Sequence, residues 1–281
     1  MLELSHKELA IPGLTQTYRI LHITDAHVVV MDQRDEGVVI VDDGPHHGKL
    51  VTRFGEKRYD FFTTDGVTTA QRFEKLCEEI CRQPDCADLI LFTGDILDFF
   101  TESCMQFVTR CLKNLPIPYM FVMGNHDSIF YPEGEEDTRK YFRDLCGGNT
   151  ELQKYTLGEL TFIGIDNARD RYTENGLALL KDAMEGEKNV ILCQHIPLSN
   201  DIYHEEGMRL VGADHALGNQ GVCVGDSWKT VFDMIEAEAS PIRALICGDC
   251  HRDHRSMIGN AVMFTSACNA YFPPALFTIH S

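Results

Sequence analysis

Short apolar runs alternate along the chain with stretches whose apolar positions recur at helical spacing. Arg19–Thr24 (RILHIT) predicts a strand that runs into polar residues. Leu89–Phe92, Tyr119–Val122, Asn189–Cys193, Ala244–Cys247, Ala261–Phe264 and Leu276–Ile279 predict further strands. Thr68–Arg82 carries Phe73, Leu76, Cys77 and Ile80 on one helical face, and Cys104–Leu115, Gly176–Met184 and Ser227–Glu238 read as helices too. Gln153–Leu157 and Leu160–Asp166 flank Gly158 and predict a hairpin. This order gives an α/β fold with one mixed sheet or two.

Two stretches break the rhythm. Val28–Val67 is long, polar in its middle, and holds a VVIVDDG segment that reads as an inserted hairpin. Ser199–Asp226 is glycine-rich and has no clear period. Long irregular segments in a compact domain are lids, binding loops or disorder. No linker is apparent, so a single domain over residues 1–281 is expected, with inserts at about 28–67 and 199–226.

Composition narrows the picture. The 281 residues are 44% hydrophobic, enough for a large core, and no apolar run approaches the roughly 18 residues of a membrane span. The start, MLELSHKELAIPG, has no apolar h-region, so no secretory signal and no membrane association are expected. Eleven cysteines, several inside apolar or helical stretches (Cys77, Cys81, Cys111, Cys193, Cys247), read as free thiols in a reducing, cytoplasmic setting. The net charge of −18 argues against nucleic acid as a partner, because such binding rests on neutralising phosphates with Lys and Arg. It leaves room for a small phosphate ester, since bound metals reverse the local field. Nothing in the order of residues speaks to oligomeric state.

Five of the apolar strands end in small polar clusters: Asp25-Ala26-His27, Gly94-Asp95 with Asp98, Gly124-Asn125-His126-Asp127, His195 before Ile196-Pro197, and Gly248-Asp249-Cys250-His251. Ligands of open α/β sheets gather beyond the carboxyl ends of the strands, so the five clusters are expected to converge. Carboxylate oxygen, imidazole nitrogen and amide oxygen suit hard and borderline divalent metals, and one carboxylate can bridge two ions. A glycine before a ligand lets the backbone turn sharply and approach closely.

The order D-x-H, G-D-x-x-D, G-N-H-D, a lone His before Pro, then a glycine turn ending in His resembles the calcineurin-like metallophosphoesterase superfamily, from Asp25 to His251. That resemblance implies a four-layer α/β/β/α sandwich of two mixed sheets flanked by helices. It implies two divalent metal ions; manganese is expected foremost, since an oxygen ligand at Asp249 hardens the second site, with iron, zinc or magnesium as the other options. Asp25, His27 and His251 would hold the first; Asn125, His195 and the residue at 249 the second; Asp95 would bridge both. His126, oriented by Asp98, would act as the acid or phosphate-binding group, and a hydroxide between the metals would attack phosphorus in line. One departure stands out. The family's last motif is usually G-H-x-H, and here a carboxylate, Asp249, replaces the first imidazole. A shifted turn could recruit His254 or Asp253 instead.

Each residue also has a plainer reading. Asp25 and His27 could be a turn, Asp95 a helix cap, Asn125 a left-handed turn residue, and His195 a satisfied core histidine. Asp127 reads as an orienting group, His22 as structural, and Cys250 as facing the core. His46, His47, His204 and His215 read as solvated loop histidines. The expected function is hydrolysis of a small phosphate ester, mono- or diester. The rivals are a non-catalytic metal-binding scaffold on the same fold and a metal-dependent nuclease, the latter disfavoured by the acidity.

Overall fold

The computed structural model describes residues 2–30, 67–128, 138–218 and 225–281, together with the backbone of four short strands within 31–66. In chain order the elements are β1 (Ser5–Ala10), β2 (Tyr18–Ile23), β3 (Val39–Asp42), β4 (Gly48–Thr52), β5 (Gly55–Tyr59), β6 (Thr63–Thr64), β7 (Val67–Thr68), α1 (Thr69–Arg82), β8 (Leu89–Thr93), α2 (Glu102–Leu112), β9 (Tyr119–Val122) and α3 (Arg139–Phe142). They continue with β10 (Leu152–Leu157), β11 (Leu160–Ile165), α4 (Glu174–Met184), β12 (Val190–Gln194), α5 (Asp201–Leu210), α6 (Ser227–Glu236), β13 (Ile242–Cys247), β14 (His254–Ile258), β15 (Ala261–Thr265) and β16 (Ala275–His280).

Two mixed sheets carry the fold. The first has the order β1-β16-β2-β8-β9, with β2, β8 and β9 parallel and β16 antiparallel to β2. The second has the order β10-β11-β12-β13-β15-β14, parallel from β11 to β15 and antiparallel at both edges. Their central strands are apolar on successive positions because both faces are covered. Period-2 alternation then sorts the side chains. Leu89 and Leu91 of β8, Met120 and Val122 of β9, and Ile191 and Cys193 of β12 fill the layer between the sheets, with Phe162, Ala244, Ile246 and Phe277. Ile90 and Phe92 point the other way, toward α1 and α2, joining Phe73, Ile80, Val108 and Phe121. Val190 and Leu192 pack outward against Leu180 of α4 and Trp228, Val231 and Ile235 of α6. Burial of each such side chain stabilises the fold by about 1.5–3 kcal/mol.

Four of the helices open on side-chain caps. Thr68 caps α1, its hydroxyl accepting from Gln71 N–H while Gln71 returns a bond to Thr68 N–H. Thr101, Thr173 and Asn200 accept from the N–H groups of Cys104, Gly176 and Tyr203. Asn200 opens α5, a ten-residue helix inside the stretch that sequence reading leaves irregular. The reason it escapes periodicity is its exposed apolar surface: Ile202, Met208 and Leu210 face solvent. VVIVDDG supplies β3, which pairs with β4 in a three-stranded antiparallel unit completed by β5. The edge strands β1 and β14 are also absent from the sequence reading, because their alternating polar residues carry little apolar signal. Among the described residues all ten cysteines are free, and no helix is long and apolar enough to cross a membrane.

Candidate metal centre

The carboxyl ends of β2, β8 and β9 in one sheet and β12 and β13 in the other meet at one place. Backbone bonds tie the loops there: Asp25 N–H to Gly94 O at 3.0 Å, His27 N–H to Asp95 O at 2.9 Å, and Gly248 N–H to His195 O at 2.9 Å. Two glycines make this closeness possible. A Cβ at Gly124 would fall on Asp95 Oδ1, and one at Gly248 would fall on Thr24 Oγ1. Six non-glycine residues among those described have positive φ, and five of them are sequence-predicted ligands: Asp25 at 52°, His27 at 43°, Asp95 at 51°, Asp249 at 67° and His251 at 54°. Each such backbone costs on the order of 1–3 kcal/mol and persists only where the surroundings over-determine it. Here that cost turns side chains that would otherwise diverge toward a common point.

Two half-sites share Asp95. In one, His27 Nε2 lies 3.1 Å from His251 Nε2, and His251 Nε2 lies 3.3 Å from Asp25 Oδ1. In the other, His195 Nε2 lies 2.9 Å from Asn125 Oδ1 and 3.4 Å from Asp249 Oδ1. Asp95 Oδ2 is 3.3 Å from His195 Nε2 and 3.9 Å from His27 Nε2, so one carboxylate oxygen faces both halves. Its other oxygen accepts His126 N–H at 2.8 Å. All seven predicted ligands, Asp25, His27, Asp95, Asn125, His195, Asp249 and His251, thus come together.

The surrounding bonds fix which atoms face inward. His195 Nδ1–H donates to Thr93 O at 2.7 Å, which leaves Nε2 as the bare nitrogen. His27 Nδ1–H donates to Asp98 Oδ1 at 3.1 Å with the same consequence. Thr24 Oγ1–H and Asp249 N–H donate to the Asp25 carboxylate, at 2.7 Å and 3.1 Å. His126 Nδ1 bonds Asp98 O at 2.8 Å and lies 3.1 Å from Asp98 Oδ1. Asp127 accepts from Leu97 and Gly124 N–H groups, at 2.8 Å and 2.9 Å, and so shapes the two loops.

The donor set fits divalent cations. With the Asn125 oxygen inward, its Oδ1, Asp95 Oδ2 and Asp249 Oδ1 gather around His195 Nε2, and all four atoms can offer a lone pair to a cation once Nε2 gives up its proton; the reversed amide would bond all three neighbours instead. Asp25, Asp95, Asp98 and Asp127 are buried together, an arrangement that is costly without compensating positive charge. Burial opposes a charge on His195, yet Asp95 and Asp249 outweigh it and hold the imidazole well above its ordinary range. Surroundings that draw a proton to that nitrogen also draw a cation. Burial likewise opposes a charge on His126, and Asp95 with Asp98 overcomes it, lifting this imidazole to about 9.

The remaining sequence candidates sort clearly. His254 Nδ1 bonds Glu206 and Asp253 pairs with Lys7, so neither takes the second half-site. His22 bonds Thr93 Oγ1 and Ser266 Oγ, a structural role, and Cys250 packs on the outer core of the second sheet. His204 is not a solvated loop histidine: it pairs with Asp214 at 2.9 Å. Nor is His215, whose Nδ1 bonds Asp249 Oδ2. His46 and His47 lie outside the described residues. Sequence reasoning also missed Cys268, which gathers with His27 and His251 while donating to Asp25 O at 2.9 Å. It missed Asn269 as well, which accepts Thr24 N–H at 2.7 Å. No motif marks these two residues; only the return of the chain after β15 brings them in.

The sequence family described as calcineurin-like phosphoesterase matches residues 18–253. A probable cyclic nucleotide phosphodiesterase of Colwellia psychrerythraea is 25% identical over 232 residues, 78% of this chain and 75% of that protein. A probable glycerophosphodiester phosphodiesterase of Arcobacter nitrofigilis is 21% identical over 188 residues, 64% of this chain and 62% of that protein, so the chain spans under two thirds of this relative's length. Among solved structures, the phosphopantetheinyl hydrolase of Mycobacterium tuberculosis superposes with a TM-score of 0.50 at 9% identity, covering 92% of this chain and 94% of that one. The purple acid phosphatase of yellow lupin gives 0.52 at 11% identity, covering 92% and 45%. At such identities the likeness is one of fold, and it is the four-layer sandwich described above.

Proposed function

The chain belongs to the calcineurin-like phosphoesterase family, and on that premise we propose that it hydrolyses a small phosphodiester at a two-cation site built by Asp25, His27, Asp95, Asn125, His195, Asp249 and His251. The observation that carries this reading is Asp95 Oδ2, which faces the nitrogens of both half-sites at once. When bound, two divalent cations polarise phosphoryl oxygens, lower the pKa of water and neutralise developing charge.

The protein's own residues supply orientation and a proton. Asp98 and Thr93 O hold His27 and His195 with Nε2 inward. His126, tied through Nδ1 to Asp98 O, turns Nε2 outward, where it can hold a proton for the departing alkoxide. The diester preference follows from charge. Asp249 adds a third ligating carboxylate to Asp25 and Asp95, so the centre is less positive than one with imidazole there. A monoester dianion loses more attraction from that change than a diester monoanion. Oxygen in place of nitrogen also hardens the second half-site, favouring Mn²⁺ or Mg²⁺ over Zn²⁺. The names of two relatives, both phosphodiesterases, agree with this reading.

The test is a panel of phosphomonoesters, phosphodiesters and cyclic nucleotides, run on chelated protein with Mn²⁺, Zn²⁺ and Mg²⁺ in turn. Turnover should require added cation, and diesters should exceed monoesters in kcat/KM. Monoesters ahead would overturn the substrate class; no turnover with full cation loading would return the scaffold reading.

A further inference from the structure

Asp249 stands where an imidazole is expected, and a histidine from elsewhere touches it. His215 lies 34 residues earlier in the chain, and its Nδ1 bonds Asp249 Oδ2 while Oδ1 of the same carboxylate turns to His195 Nε2. An ionised carboxylate only accepts, so His215 Nδ1–H is the donor. The Asp249 side chain is 3% exposed and that of His215 is 41% exposed, so the histidine forms the outer wall of the half-site.

The backbone that presents His215 is anchored on both sides. Asp214, just before it, accepts from Ser199 Oγ at 2.7 Å and pairs with His204 at 2.9 Å. Tyr203 Oη donates to His215 O at 3.3 Å. Leu217, just after it, donates to Pro197 O and accepts from Ser199 N–H, each at 2.8 Å. Ala216 and Leu217 are buried in the outer core of the second sheet. The histidine is therefore delivered to Asp249 by packed structure.

We propose that His215 is the positioning residue of the second half-site: it holds Asp249 with Oδ2 occupied and Oδ1 directed inward, and so lets a carboxylate serve where the usual motif has an imidazole. This inference rests on the two-cation reading above. A side chain free to rotate would offer either oxygen, or neither, at an added cost in order; a fixed donor on Oδ2 removes that choice. Partners that orient a metal ligand from behind are worth roughly 10–100-fold in metal affinity.

The experiment is a Mn²⁺ titration of chelated full-length protein, followed by calorimetry and by the Mn²⁺ paramagnetic resonance signal. The wild type should take two equivalents. His215→Ala should weaken the second by roughly 10–100-fold and leave the first unchanged. His215→Asn, whose amide N–H can replace the Nδ1 donor, should restore it. In an Asp249→His background, His215→Ala should change neither. An unchanged second equivalent in His215→Ala, or equal loss of both equivalents, would overturn the role of His215. A wild type that binds fewer than two equivalents would instead overturn the two-cation reading itself.

Discussion

Asp95 divides its two oxygens between separate tasks. Oδ1 accepts the His126 N–H and fixes the loop; Oδ2 faces His195 and His27. Asp95→Ala should therefore empty both half-sites and abolish turnover, read by metal content and by hydrolysis of any active ester; a wild-type rate would refute the shared-carboxylate assignment. On the proposed reading His126 serves the leaving group. His126→Asn should cost roughly 10²–10⁴-fold on an alkyl ester, the usual scale of acid catalysis, and clearly less on a p-nitrophenyl ester that departs unaided. Equal losses on the two substrates would assign His126 to phosphate positioning instead.

Elements matter here through what their ends and inner faces hold. Strand β2 delivers Asp25 and His27 beyond its carboxyl end while its inward His22 is wholly buried, bonded to Thr93 at 2.6 Å and Ser266 at 2.8 Å. Burial, with a smaller push from Lys7, lowers this imidazole to about 3 from its ordinary 6.5. A lowered folded value means that the unfolded chain binds the extra proton first. The stabilisation by neutral His22 is thus fully present above about pH 6.5 and is lost progressively as pH falls toward 3. In chelated protein, the difference in Tm between wild type and His22→Gln should be largest at neutral pH and shrink on acidification to pH 4. A pH-independent difference would show that His22 does not carry this linkage.

At the scale of the molecule, the net charge of −18 and a centre rich in buried carboxylates act together. The acidic surface disfavours polyanions at long range, and cations held as proposed would decide how small anions are received. Asp249→His should make the centre more positive and raise the monoester-to-diester ratio of kcat/KM, measured with Mn²⁺ at fixed ionic strength. An unchanged ratio would mean that the shape of the surrounding loops, not the charge at position 249, sets the preference.

The order of residues by itself determined the layers and most of the centre. Strands buried on both faces must be largely apolar, so LILF, VILC, ALIC and the apolar positions of RILHIT were legible without any partner in view. The polar clusters at their ends were legible for the same reason: Asp, His and Asn beside glycine interrupt an apolar run only where the chain leaves the core. The tertiary structure alone decided the rest. It fixed that Asp249 and not His254 faces His195, because the partner of His254, Glu206, sits on a helix whose exposed apolar residues hid it from periodicity. It also brought His215, Cys268 and Asn269 to the centre, since contacts across 34 and more than 240 residues leave no local pattern. The left-handed turns at Asp25, His27, Asp95, Asp249 and His251 belong there too: Asp and His adopt such backbone more readily than most residues, but that tolerance does not mark which of them will, and the surrounding structure decides it.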